Sequence, residues 1–153
     1  MIRRESKKQI FVVALLLFIF SITLQFKLHG FLNFHPDLAL TTLVVLAFFL
    51  DFLPTLFFTL LGVFILNWQP TISLELVVFV IIPLTVYWIS KFLPGRLWFS
   101  VLIFSAIAVP TFYAIINFGA FYTAPLLLLG DVLVCLIFAS LDFYLLEAFS
   151  KKN

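Results

Sequence analysis

The sequence predicts an all-α membrane protein, a polytopic bundle of about six transmembrane helices with N-terminus and C-terminus cytoplasmic. Three observations carry this prediction. Hydrophobic residues make up 65% of the 153 and charged residues only 10%, against roughly 45–50% and about 25% in a soluble domain. A single core of this size cannot hide so much apolar surface from water, whereas lipid solvates it. Apolar stretches near the length of a bilayer helix, about 20 residues, recur along the chain. Finally, eight of the nine Lys and Arg residues fall on one side when successive stretches are taken to cross in turn. Arg3, Arg4, Lys7 and Lys8 begin this set, Lys91 and Arg96 continue it, and Lys151 and Lys152 complete it, leaving only Lys27 opposite. Cytoplasmic loops carry such an excess, which places the chain in an inner (plasma) membrane as a multi-pass protein.

The first span is expected over 10–26. Its basic-then-apolar opening resembles a secretory signal, but it exits through Gln25-Phe26-Lys27-Leu28-His29 with no small-residue cleavage site, so an uncleaved span is expected. The next two, 37–52 and 54–67, are short. Asp51-Phe52-Leu53-Pro54 separates them, and Pro54 suits the start of a helix, where its missing N–H costs nothing. Either both are short true spans, or they form a helical hairpin that enters and leaves on one face; both arrangements give the same sidedness. Spans over 72–90, 97–117 and 126–147 follow, with Pro83 and Pro110 inside two of them. Trp68, Trp88 and Trp98 lie near segment ends, as interfacial tryptophans do. With no internal repeat or linker, 1–153 reads as one integral membrane domain.

Ionisable groups within spans are costly and are functional candidates by default. Glu75 and Asp131 each lie one to two turns in from the same predicted end, so a polar pocket built on Glu75, Asp131 and Asn67 is expected, with Gln69, His35 and Asp37 adjoining. The structural alternative is that Glu75 suits the positive end of a helix near Thr71 and Ser73, and that Asp131, after Gly130, is simply interfacial. Asp131, Cys135, Phe138 and Asp142 recur at spacings of 4, 3 and 4, which stacks them on one helix face directed into the bundle. On the cytoplasmic side, Asp51, Lys91, Arg96 and Asp142 form a candidate docking surface, with Glu147 close by in sequence; a structural ion pair or a solvated edge is the plainer reading.

Other chemistry finds little footing. The net charge of +2 is absorbed by topology, with no basic stripe for nucleic acid. The single cysteine, Cys135, excludes an intrachain disulfide and a cysteine-based zinc cluster, and reads as a small buried apolar residue. There is no Gly-x-Ser-x-Gly elbow, no His-Glu-x-x-His helix and no glycine-rich phosphate loop. His29 and His35 are six apart, not at the spacing of four that favours a metal. Asp131 and Asp142 are eleven residues apart, roughly 16 Å along a helix, too far to act as a catalytic dyad. No enzyme, metal or cofactor is expected.

Pro36-Asp37-Leu38 opens the second segment, Leu61-Gly62-Val63-Phe64-Ile65-Leu66-Asn67 closes the third, and a basic loop at 91–96 follows the fourth. From 34 to about 117 this arrangement resembles the rod-shape-determining MreD family of bacterial inner-membrane proteins. Members carry more glycines in the third segment and an Asp near its end, where this chain has Asn67. The resemblance implies a non-enzymatic subunit of the peptidoglycan-elongation machinery, partnered by another membrane protein. A broader similarity links the architecture to the substrate-binding subunits of energy-coupling-factor vitamin transporters, which would make the Glu75 and Asp131 cluster a solute pocket. The partners expected are therefore the lipid bilayer and another membrane protein subunit.

Overall fold

A computed structural model of the chain describes residues 2–31, 36–66, 73–93, 97–116 and 118–151. Seven helices are found among them: α1 (Ile2–Phe31), α2 (Leu38–Phe49), α3 (Phe52–Leu66), α4 (Leu74–Ser90), α5 (Leu97–Ile116), α6 (Ala120–Thr123) and α7 (Pro125–Lys151). The described residues contain no strand. Three segments, Lys8–Leu28, Leu97–Ile116 and Pro125–Ser150, are long and apolar enough to cross a membrane. The helices α2, α3 and α4 are apolar but shorter, at 12, 15 and 17 residues. At 1.5 Å per residue α2 is about 18 Å long, well under the roughly 30 Å of a hydrocarbon core.

Pro54 falls in the first turn of α3, where a proline is tolerated, so the helix starts ahead of it at Phe52. Pro125 opens α7 for the same reason. Pro83 and Pro110 lie within α4 and α5. Trp88 and Trp98 sit near helix ends, both exposed. Trp68 lies outside the described residues.

Burial explains how the helices are arranged. The ten residues of α2 from Leu38 to Ala47 are all buried, and α2 packs against α1, α3, α4, α5 and α7. A helix that is apolar on every side demands cover on every side, and α2 is the core about which the others stand. Leu40, Leu43 and Leu46 meet Phe18, Phe58, Phe79, Val101, Phe143 and Leu146 there. The surrounding helices turn one face inward and leave large side chains such as Phe64 (81% exposed) and Leu126 (82% exposed) on the outside. In water so broad an apolar exterior would drive association; in a bilayer it meets lipid. Ser21, Thr41, Thr42, Thr55, Thr59, Ser105, Asp131 and Asp142 are instead buried.

Gly62 sets the closest approach. A Cβ built there would lie 3.1 Å from Phe18 Cζ and 3.1 Å from Phe79 Cε1, so the absence of a side chain lets α3 close on α1 and α4. Its backbone φ is ordinary, and space is what requires glycine here.

Candidate functional site

Two polar clusters are built around α2. The first lies where α1 ends and α2 begins. Asp37 precedes α2 in the N-cap position but makes no side-chain cap bond. Gln25 of α1 caps the helix in its place. The Gln25 Oε1 accepts from the Ala39 N–H at 2.9 Å, while Nε2 donates to Asp37 Oδ1 at 3.3 Å. One amide thereby satisfies an orphan donor of α2 and orients the aspartate beside it. The Tyr113 hydroxyl of α5 donates to Asp37 as well. Asp131 of α7 is buried, at 6% exposure, near enough to Asp37 for their charges to oppose each other. One turn deeper, Thr41 donates to the Asp37 carbonyl at 2.9 Å and sits beside Cys135. Helices α1, α2, α5 and α7 each contribute to this cluster.

The second cluster lies further along α2. Thr42 Oγ1 is 2.5 Å from Ser21 Oγ of α1 and 2.7 Å from Asp142 Oδ2 of α7. Ser21 also donates to the Leu17 carbonyl at 2.8 Å, one turn back on its own helix. Asp142 is 1% exposed. Three helices are joined by one continuous run of oxygen contacts among buried side chains. Ser105 Oγ on α5 is buried and has no hydrogen-bond partner among the described residues.

The expected pocket is redrawn by these positions. Asp131 belongs to the first cluster, but the carboxylate set against it comes from Asp37. Glu75, in the first turn of α4, has an exposed side chain and acts on the cluster through its charge on Asp37. Asn67, Gln69 and His35 lie outside the described residues. The expected docking surface also divides. Asp51, in the turn between α2 and α3, is exposed, and so is Lys91 at the end of α4, whose Nζ lies 4.6 Å over the Tyr87 ring. Asp142 does not join them, because the helix face that carries Asp131 and Cys135 inward carries Asp142 inward too. Glu147 is half-buried, and Arg96 lies outside the described residues.

Gln25, Thr41, Tyr113, Ser21 and Thr42 are the members that sequence reasoning missed. The available signal was their polarity within long apolar stretches, since polar side chains in bilayer helices turn toward neighbouring helices. Among the described residues no group of three or more His, Cys, Asp or Glu side chains could hold a metal, and Cys135 is a buried free thiol. Among the described residues a groove of ≈ 340 Å³ lies between α4 and α5, walled by Ile82, Ile89, Phe104 and Ile107, and another of ≈ 340 Å³ lies between α5 and α7, walled by Leu102, Ala106 and Ile137. Both are almost wholly apolar. No family model, no curated protein and no solved structure matches this chain.

Proposed function

We propose that this chain is a small, non-enzymatic integral membrane subunit that acts by assembling with another membrane protein. The observation that carries the reading is where the polar side chains go. Gln25, Asp37, Tyr113, Ser21, Thr42 and Asp142 make their hydrogen bonds across α1, α2, α5 and α7 and so knit the bundle together. The bundle offers its surroundings a broad apolar helix surface and, among its exposed polar residues, Asp51 at the α2–α3 turn and Lys91 at the end of α4. A fold of this kind suits recognition through helix packing in the bilayer. The narrower form of the proposal, from the resemblance to the MreD family, places that partner in the peptidoglycan-elongation machinery of a bacterial inner membrane.

The test is affinity purification from native membranes in mild detergent, with identification of co-purifying proteins. Cell-wall elongation proteins that are lost on combined Asp51→Arg and Lys91→Glu substitution support the scaffold. A second reading, a solute-binding transporter subunit, is favoured by the facing Asp37 and Asp131 carboxylates. Recovery of an ATPase pair with a coupling membrane subunit supports it, as does loss of uptake in Asp37→Asn/Asp131→Asn protein that still assembles.

A further inference from the structure

The contacts around Asp142 can be counted in protons. The run from Leu17 O through Ser21 Oγ and Thr42 Oγ1 to Asp142 Oδ2 contains three oxygen–oxygen contacts, at 2.8, 2.5 and 2.7 Å. Each lies in the range of an O–H···O hydrogen bond, and each needs one hydrogen. The Leu17 carbonyl only accepts, so Ser21 donates to it. Ser21 Oγ then accepts from Thr42, whose only hydroxyl hydrogen is spent there. The hydrogen between Thr42 and Asp142 has one remaining source, the carboxyl group itself. With an ionised Asp142, two hydroxyl hydrogens would have to serve three contacts, and one pair of oxygens would meet lone pair to lone pair.

We propose that Asp142 is a proton-binding site inside the bundle, holding a neutral carboxylic acid that donates to Thr42 and so closes a one-way chain of hydrogen bonds from α7 through α2 to α1. The surroundings agree. Thr42 faces the acid from α2 and Ser21 continues the chain on α1, while the buried neighbours along α7 are Phe138, Ala139, Phe143 and Leu146. Among the described residues no charged side chain interacts with Asp142. An unpaired carboxylate at such a position carries a large desolvation cost, which a bound proton removes. The proton makes the acid a donor, and the donor ties three helices together without placing a charge between them. This inference is independent of the scaffold reading, since it concerns how the bundle is held and not what it meets.

The test is infrared spectroscopy of the protein reconstituted in lipid bilayers at neutral pH. The difference between wild type and Asp142→Asn should show loss of a protonated-carboxyl C=O stretch. Loss of carboxylate bands in its place overturns the assignment. Thr42→Val keeps the acid but removes its acceptor, and the C=O band should move to higher frequency, as for a less hydrogen-bonded acid. A protonated band that stays in place in Thr42→Val overturns the chain even if Asp142→Asn fails to accumulate.

Discussion

Replacing Gly62 should separate helices that now touch. The new Cβ of Gly62→Ala would lie 3.1 Å from Phe18 Cζ, 3.1 Å from Phe79 Cε1 and 3.5 Å from Phe79 Cζ. Carbon atoms are most comfortable about 3.5–4.0 Å apart, so both rings must retreat by roughly half an ångström. Neither has much room. Phe18 is fully buried with its ring 5.6 Å from that of Phe58, and Phe79 is buried with its ring 6.3 Å from that of Phe112. Overpacking in a filled core costs about 1–3 kcal/mol, and alanine, adding one carbon, belongs at about 1 kcal/mol. Gly62→Leu adds three carbons more and should reach the top of that range or prevent folding. The assay is reversible unfolding in mixed detergent micelles, with size-exclusion chromatography to confirm a folded start. A double-mutant cycle sharpens it: Phe18→Leu should recover part of the Gly62→Ala loss, because the shorter side chain vacates the contested space. Equal stability of Gly62→Leu and wild type, or strict additivity in the cycle, would refute the close-approach account.

Three further outcomes follow from the clusters and the exposed turn. Gln25→Leu removes the acceptor for the Ala39 N–H and a donor to Asp37, so stability should fall by about 1–3 kcal/mol in the same unfolding assay; an unchanged midpoint would show that the amide is not the cap. Asp131→Asn removes one of two opposed carboxylates, so it should unfold at a midpoint equal to or above that of wild type, whereas Asp142→Leu, which leaves Thr42 and Ser21 without their terminal partner, should lose about 1–3 kcal/mol. Asp51→Arg with Lys91→Glu lies on exposed positions and should leave stability within about 0.5 kcal/mol while releasing a co-purifying partner; retention of that partner counts against the docking surface.

The helices were legible because an apolar run has only one stable form in lipid, and helix ends follow from proline and charge. Pro54 marked the α2–α3 boundary within a few residues, and the spacing of Asp131, Cys135, Phe138 and Asp142 marked the buried face of α7. That same face defeats the assignment of Asp142 to a cytoplasmic surface: its spacing from Asp131 pointed inward, while its nearness to the chain's end suggested an edge. The centrality of α2 was not legible, since α2 and α3 are equally apolar and only tertiary packing selects which is enclosed. Nor was the role of Gln25. Its partners Asp37 and Ala39 lie beyond the connection to the next helix, one just before α2 and one within it, and no local pattern announces a cap supplied from another helix.

The enclosure of α2 sets an order of events during synthesis. Chains emerge N-terminus first, so α2 is made before α3, α4, α5 and α7, four of the five helices that cover it. Thr42 meets Asp142 across 100 residues of sequence. A nascent chain ending anywhere before α7 therefore holds a short helix whose cover is incomplete and whose Thr42 and Ser21 hydroxyls lack the terminal member of their chain. Enclosure of α2 is complete only once α7, the last of the helices among the described residues, packs against it.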